Sequence, residues 1–253
     1  MGENGRVAEP WEEARIARWE AHAPGLSTLV LDGRLEPFRA GQFVNLALDL
    51  GGERVARSYS LASPPGAPPE LLLVRVGRFT QALFDLPVGA GLLLCPRAAG
   101  HFTLENVRSA PLLWLLATGT GLAPYLSMLR TEEPWARFER VVLVHAVRER
   151  SHLVRQEELQ ALGRAHGDRL TWVPVVSRED ELPPDHLRGR IPALIASGAL
   201  EARAGAGLDP AGSQVLLCGN PGMIEETRQV LEGRGLRRNR RREPGQITAE
   251  AYW

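Results

Sequence analysis

The chain has 253 residues, enough for one large domain or two ordinary ones, because a single core usually stops growing at about 250–300 residues. Its 30 basic side chains, all of them arginine, balance 30 acidic ones, and zero formal charge argues against binding to nucleic acid or membrane through bulk positive charge. Two cysteines are too few for a disulfide framework, a four-thiolate iron–sulfur cluster or a cysteine-built zinc site, and they fit a reducing cytosol.

Short β-rich segments separated by glycine or proline fill the first part of the chain. They predict antiparallel strands over residues 28–35, 42–50, 57–62, 70–76 and 91–104. Residues 79–86 interrupt these strands with helical spacing. A small β-barrel with one short helix is the simplest architecture for this pattern.

After Pro111 the pattern changes to strands that alternate with helices. Strands are predicted at residues 112–117, 140–147, 170–176 and 214–218. A helix follows each strand: the first ends near residue 130, and the others span residues 151–165, 191–200 and 221–231. Four strand–helix units in series predict a parallel, doubly wound sheet. We therefore divide the chain into a barrel domain, residues 1–108, and an α/β domain, residues 109–253.

One uncharged stretch, residues 109–129, is long enough to span a bilayer. Gly119, Gly121 and Pro124 divide it into two shorter pieces, which favours a buried strand followed by a helix. The sequence thus predicts no membrane partner.

The first turn of the predicted parallel sheet is rich in glycine. Ligands of open parallel sheets lie beyond the carboxyl ends of the strands, and this turn, Thr118-Gly119-Thr120-Gly121, occupies such a position. Its glycines allow close approach by a pyrophosphate, and the following helix offers free N–H groups. Pro124 stands at the third position of the dinucleotide fingerprint, so a tight strand–helix connection without a ligand remains an equal alternative.

Arginines follow the next two strands. Arg148 comes after the second strand, Arg178 after the third, and Arg190 begins the next helix. An NAD site tends to place a carboxylate near this edge, whereas arginine suits a 2′-phosphate. Each arginine alone is best explained as a solvated surface residue, but three arginines at strand ends and a helix start favour phosphate binding. Glu149, beside Arg148, could weaken that preference.

Two further motifs combine aromatic and polar groups. Arg57-Ser58-Tyr59-Ser60 offers a phosphate fork, an aromatic face and hydroxyls on one strand, although an ordinary strand with a buried tyrosine would also explain it. The chain ends in Tyr252 and Trp253, and aromatic residues at a terminus suggest packing on a flat heteroaromatic ring or on the core.

In combination these motifs resemble the bacterial type of ferredoxin/flavodoxin–NADP reductase, from about residue 26 to the end of the chain. The most specific pieces are Arg57-Ser58-Tyr59-Ser60 and residues 116–120, 145–148, 176–178, 189–192, 217–221 and 248–253. The resemblance implies an antiparallel β-barrel FAD-binding domain followed by a doubly wound α/β NADP-binding domain with a C-terminal aromatic tail.

The resemblance also implies residues that bind FAD. Arg57, next to Ser58, would contact the pyrophosphate, Tyr59 would stack on the isoalloxazine, and Ser60 would sit near its N5 atom. The main chain of Leu73, Val74 and Arg75 would line the flavin. The start of the short helix, Arg78, Phe79 and Thr80, would cradle the pyrophosphate, and Thr120 would approach FAD from the second domain.

For NADP(H), the resemblance assigns the 2′-phosphate to Arg148, Arg178 and Arg190, with Val147 and Ser177 beside them. Other contacts would run along the cofactor at Asn220, Pro221 and Gly222. In members with this ending, Tyr252 would cover the isoalloxazine and Trp253 the adenine of a bent FAD. No metal site is implied.

The implied activity is transfer of a hydride from NADPH to FAD and then of single electrons to ferredoxin or flavodoxin. Ser60, Cys218 and Glu250 match the polar residues around the reacting atoms, although Cys218 also reads as a small buried hydrophobe. A flavin-containing reductase subunit that serves an oxygenase-type acceptor, and a non-catalytic flavin-binding module, are the alternatives. We expect a cytoplasmic monomer.

A cluster of arginines near the C-terminus is not absorbed by either cofactor. It packs six arginines into nine residues, as Arg234, Arg237, Arg238, Arg240, Arg241 and Arg242. A solvated loop explains it as well as an electrostatic landing site for an acidic ferredoxin or flavodoxin. Binding of nucleic acid is the least favoured of the three interpretations.

Overall fold

The first half of the chain folds into a closed antiparallel sheet in the computed structural model, which describes residues 10–252. Its strands are β1 (Glu12–Ala23), β2 (Leu26–Asp32), β3 (Phe43–Leu50), β4 (Glu53–Ser60), β5 (Glu70–Val74) and β6 (Gly91–Leu94). They lie in the order β4-β3-β6-β1-β2-β5, and a bridge between Leu61 and Leu71 joins the two ends of the sheet into a barrel. Helix α1 (Gly77–Phe84) buries Phe79 and Leu83 in the barrel core.

The second half forms a parallel sheet. Its strands are β7 (Leu112–Thr118), β8 (Arg140–Val147), β9 (Leu170–Val176), β10 (Leu187–Arg188), β11 (Ser213–Gly219) and β12 (Ile247–Ala251), and its helices are α2 (Ala123–Leu129), α3 (Glu133–Arg137), α4 (Gln156–His166), α5 (Ile191–Ala196), α6 (Ala199–Ala204) and α7 (Pro221–Gly233). The order β10-β9-β8-β7-β11-β12 reverses direction at β7. The topological switch point, where ligands of such sheets bind, therefore lies between the ends of β7 and β11.

The predicted fold class, a barrel followed by a doubly wound sheet, is confirmed, but several elements differ from expectation. Strand β1 was not predicted because its sequence is mostly charged or small, and in its first half it buries only Ala14 and Ile16. The predicted strand over residues 91–104 ends at Leu94. The predicted helix over 191–200 is two helices, since Gly198 adopts a left-handed φ of 75° between them.

The two halves share a hydrophobic core. One cluster combines Leu72 and Phe102 from the barrel side with Leu115, Tyr125 and Leu143 of the α/β half. The uncharged stretch 109–129 supplies β7 and α2, which are buried here. No helix within residues 10–252 combines the length and apolar character needed to cross a bilayer.

Candidate active site

The predicted catalytic residues meet at the junction of the barrel and the parallel sheet. Ser60 ends β4, and its Oγ donates a hydrogen bond of 3.1 Å to Oε1 of Glu250 in β12, 190 residues further along the chain. Cys218 of β11 lies directly opposite Glu250 in the parallel register. The structure thus brings Ser60, Cys218 and Glu250 together, while their catalytic roles stay predictions.

Burial controls the protonation of this group. Desolvation raises the pKa of the Glu250 carboxyl, and the hydrogen bond from Ser60 acts in the opposite direction. Desolvation also raises the pKa of the fully buried Cys218 thiol, with the Glu250 charge acting in the same sense. The site therefore holds a neutral thiol beside a carboxyl whose affinity for a proton exceeds that of an exposed glutamate.

Tyr252 closes this junction from the end of the chain. Its backbone N–H donates to Gly219 O at 3.0 Å, and its ring packs against the core shared by the two halves. The buried hydroxyl lies beside Ser60 and Cys218, without the geometry of a full hydrogen bond to either. Burial, followed by the proximity of Cys218, raises the phenol pKa well above its usual value. Trp253 lies outside the described residues.

The glycine turn after β7 is fixed at several points. The Oγ of Thr118 accepts from the N–H of Asn220 at 2.8 Å, and a side chain at Gly121 would overlap the carbonyl of Cys218. Nε2 of His145, a fully buried residue of β8, donates to Gly119 O at 3.0 Å. The turn, which carries Thr120, is thereby held rigidly over the switch point. His145 belonged to a recognised motif, but its support of the turn depends on a contact that the sequence alone does not reveal.

His145 makes folding sensitive to acid. Its Nδ1 is buried with no partner in the described part of the chain, and burial, opposed by the bond to Gly119, lowers its pKa from 6.5 to about 4. The unfolded chain therefore binds a proton before the native state as the pH falls. The free energy of unfolding should decrease between about pH 6.5 and about pH 4, by about 3 kcal/mol in total.

This loss should be absent from His145→Gln, which retains an amide donor toward Gly119. Denaturant unfolding of both proteins at about pH 8 and about pH 4 measures it as the difference between their pH dependences. His101→Gln, at an exposed histidine, is the control and should behave like the wild type. Equal acid sensitivity in the wild type and His145→Gln would contradict the assignment.

The three arginines that are predicted to bind a phosphate lie along one edge of the parallel sheet. The N–H of Arg178 donates to Arg148 O at 2.9 Å, and the N–H of Ser177 to Val147 O at 3.1 Å, so β8 and β9 end side by side. Arg190 precedes α5 in an extended conformation. All three arginine side chains are exposed, and no ion pair found within residues 10–252 includes them. This edge can accept an anion.

Neighbouring carboxylates do not neutralise that edge through any contact seen in the structure. Glu179, next to Arg178, accepts from the N–H of Arg150 at 2.5 Å. Glu149, expected to weaken phosphate binding, is exposed and enters no ion pair among the described residues. Arg188, by contrast, is occupied by Asp180 at 2.5 Å.

The barrel has a surface of its own that fits a ligand. The rings of Tyr59 and Phe79 lie 6.0 Å apart, joining β4 to α1. Val74 and Val76 are 40% and 47% exposed, which is unusual for large apolar residues here, and α1 begins without a side-chain cap. Apolar surface, an aromatic face and free helix N–H groups together suit a planar ring joined to an anionic group.

The polar residues of this face are engaged in different ways. Among the described residues, the Arg57 guanidinium donates a hydrogen bond only to the neighbouring Ala56 O, at 2.7 Å. Arg78, in contrast, forms an ion pair with Glu53 at 3.1 Å. Ser58 Oγ donates to Asn45 at 2.6 Å. The hydroxyl of Thr80 bonds the main chain of Val76, so that any contact from Thr80 to a ligand depends on its backbone.

The start of α7 carries the remaining residues that are predicted to lie along the nucleotide cofactor. The side chain of Asn220 caps the helix by accepting from the N–H of Met223 at 3.2 Å, and Pro221 occupies the first turn. Asn220, Pro221 and Gly222 are exposed beside the glycine turn. Thr120 and these residues therefore line the switch point from both sides.

Comparisons with known proteins agree with this geometry. The family described as "Oxidoreductase NAD-binding domain" matches residues 115–229. The flavodoxin/ferredoxin–NADP reductase of Escherichia coli (strain K12) is 40% identical over 247 residues, covering 96% of this chain and 99% of that protein. Ferredoxin–NADP reductase A of Sorangium cellulosum is 38% identical, covering 84% and 79% of the two chains.

Among solved structures, a ferredoxin NADP⁺ reductase from Neisseria gonorrhoeae with bound FAD and NADP matches with a TM-score of 0.89 and 32% identity. The match covers 95% of this chain and 98% of the other. Both the barrel and the parallel sheet are therefore shared.

Proposed function

Because this chain belongs to the flavodoxin/ferredoxin–NADP reductase family, we propose that the junction of its two sheets is where NADPH meets FAD. The protein is an FAD-dependent oxidoreductase that takes a hydride from NADPH and delivers electrons to ferredoxin or flavodoxin. When bound, FAD supplies the ability to accept two electrons from NADPH and to release them one at a time. The oxygenase-type reductase and the non-catalytic module fit the comparisons less well.

The hydrogen bond from Ser60 to Glu250 carries the proposal for the site. It joins the barrel, whose face suits FAD, to the edge strand of the sheet, whose switch point suits NADP(H). We assign Ser60 to the flavin side of the reacting atoms and Cys218 and Glu250 to the nicotinamide side. Glu250, with its raised pKa, can hold a proton near the reacting atoms, and the neutral Cys218 offers a close, apolar surface.

For FAD, Arg57 and the N–H groups at the start of α1 would hold the pyrophosphate. Tyr59 would stack on the flavin ring, and the exposed Val74 and Val76 would be covered by it. The main chain of residues 73–75 and 78–80 would complete this surface, with Thr120 reaching it from the α/β side.

For NADP(H), Arg148, Arg178 and Arg190 would bind the 2′-phosphate through fork-shaped, permanently charged donors. Val147 and Ser177 shape the backbone beneath them, and residues 220–222 would follow the cofactor toward Cys218. The ring of Tyr252 would have to move for the nicotinamide to reach the flavin.

The experiment that tests this function uses the purified holoprotein. It should be yellow and should be bleached anaerobically by NADPH much faster than by NADH, and the reduced protein should pass electrons to ferredoxins or flavodoxins from the same source. A colourless protein, or a yellow one indifferent to both nucleotides, would contradict the proposal.

We also propose that carrier proteins meet the free part of the arginine cluster. Arg234 pairs with Glu201 at 2.6 Å, Arg238 with Glu232 at 3.2 Å and Arg240 with Glu243 at 3.8 Å. Arg237, Arg241 and Arg242 are exposed and enter no ion pair in the described region. These three define the free arginine face, which is the part of the cluster that attracts an acidic partner.

Replacing the free arginine face by glutamine should slow reduction of an acidic carrier about tenfold at low ionic strength, because electrostatic steering mainly raises association rates. The rate of reduction by NADPH should not change. A control with the same loss of charge replaces Arg18, Arg34 and Arg164, which are exposed elsewhere. Equal slowing in both triple variants would assign the effect to net charge instead of docking.

The division at residues 108 and 109, a monomeric state and a cytoplasmic location are likewise proposals. The two cysteines are free and buried, which is compatible with a reducing compartment.

A further inference from the structure

A partly buried cluster of charged residues ties the barrel to the α/β half beside the bridge between Leu61 and Leu71. Its members are Glu70 at the start of β5, Arg130 after α2, Arg155 before α4 and Glu158 within α4, and we call it the interdomain ion cluster. The side chains of Arg130, Arg155 and Glu70 are only 15–17% exposed.

Arg130 connects three segments. Its guanidinium forms a two-pronged pair with Glu158, at 2.6 and 2.8 Å, and a further contact with Glu70 at 3.1 Å. It also donates to the barrel carbonyl of Ala62 at 2.8 Å. Two residues of the barrel and one of α4 are therefore held by a single planar side chain.

Arg155 makes the complementary set of contacts. It reaches Glu70 at 2.7 Å, Glu20 of β1 at 3.2 Å and the hydroxyl of Thr28 in β2 at 3.1 Å. It is the one non-glycine residue with a positive φ, 59°, between residues 10 and 252. A left-handed arginine is strained and persists only when the surrounding contacts determine it, and strain of this kind concentrates at functional positions.

The two arginines lie at the ends of two segments that reach the proposed NADP(H) site. The glycine turn with Thr120 leads into α2, and Arg130 directly follows the last residue of α2, Leu129. Arg148 begins the connection after β8, and Arg155 ends it. Within the first segment, Ser127 Oγ also donates to Ser63 O of the barrel side at 2.6 Å. Each segment is therefore held at one end by the nucleotide site and at the other by the barrel.

From this arrangement, we propose that the interdomain ion cluster is a positioning device that sets the distance and angle between the hydride donor and the flavin. Glu70 is its centre, because both arginines bind it from the α/β half. The proposal rests on the proposed function, since it concerns alignment of the two cofactors. Cluster residues touch neither cofactor in this assignment.

Loss of Glu70 should disturb alignment more than binding. Arg130 would keep its pair with Glu158, and Arg155 its pair with Glu20, but both would lose the carboxylate of β5 that they share. Breaking partly buried ion pairs allows the segments that carry the two arginines to shift. A displacement of about 1 Å between reacting groups costs about a hundredfold in rate. Of the three arginines at the 2′-phosphate edge, Arg178 and Arg190 lie outside both segments, so most contacts with the 2′-phosphate should persist.

The test compares holoenzymes carrying Glu70→Gln and Arg155→Lys with the wild type by anaerobic stopped-flow reduction with NADPH. We expect the limiting rate of flavin reduction to fall about a hundredfold in Glu70→Gln and about tenfold in Arg155→Lys, which keeps the charge but not the fork. The Kd for NADPH, the flavin content and the flavin spectrum without nucleotide should match the wild type, whereas the long-wavelength absorbance of the stacked NADPH–flavin complex should weaken.

Glu133→Gln is the matched control, because it breaks a 2.8 Å pair with Arg137 that does not reach across the two sheets. An unchanged limiting rate in Glu70→Gln would overturn the proposal, as would a loss that tracks flavin release or equals that of Glu133→Gln. If Glu70→Gln does not fold, the result for Arg155→Lys decides, and a wild-type rate there would overturn the proposal. A wild-type enzyme that NADPH cannot reduce would instead contradict the proposed function.

Discussion

Replacing Arg148, Arg178 and Arg190 together by glutamine should remove the preference for NADPH over NADH. The three guanidinium groups are exposed at one edge of the sheet, and hydrogen bonds between charged groups contribute about 1.5–3 kcal/mol each. Even at the lower end of that range, kcat/KM for NADPH should fall by about a thousandfold. NADH, which lacks the 2′-phosphate, should be affected little.

The backbone bond between residues 148 and 178 indicates that single substitutions will not be additive, because the two guanidinium groups share one ligand. Arg188→Gln is the matched control, since Asp180 already occupies that side chain two residues before Arg190. Equal losses with NADPH and NADH would show that the arginines act on the fold or on domain contact. No loss with either nucleotide would place the phosphate elsewhere.

Ser60→Ala should slow the reduction of bound FAD by NADPH by about a hundredfold, in the range seen when a positioned hydrogen-bond donor is removed from an active site. Ser60 Oγ links the barrel to Glu250, and this bond opposes the effect of burial on the carboxyl. Without it the pKa of Glu250 rises further, so any inflection that this carboxyl gives to the pH dependence of the rate should move to higher pH.

Ser213→Ala tests whether the loss is specific to the site. Ser213 is also buried and hydrogen-bonded, but it begins β11 at the opposite end from Cys218 and Gly219. Both variants should retain FAD, and only Ser60→Ala should lose rate. Stopped-flow reduction measured across a pH series distinguishes them, and equal rates in both variants would remove Ser60 from the proposed chemistry.

Local sequence was sufficient for most of the architecture. Buried apolar runs, glycine turns and proline positions predicted four strand–helix units, and the observed strands β7, β8, β9 and β11 match them closely. The same regularity located Arg148 and Arg178, because the carboxyl ends of parallel strands meet at one edge of a sheet. Strands without strong apolar character were missed. Strand β12, with the sequence ITAEA, is ordered by pairing with β11, a contact that lies outside its own sequence.

The order of the two sheets and the edge where arginines gather follow from local patterns in the chain, because periodicity and strand ends are local properties. Contacts between distant segments do not: the folded protein was needed to see that Ser60 reaches Glu250, that His145 supports the glycine turn, and which arginines of the C-terminal cluster remain unpaired among the described residues. The interdomain ion cluster joins Glu70 to Arg155 across 85 residues. Such contacts depend on how two complete domains pack, and no spacing in the chain encodes them.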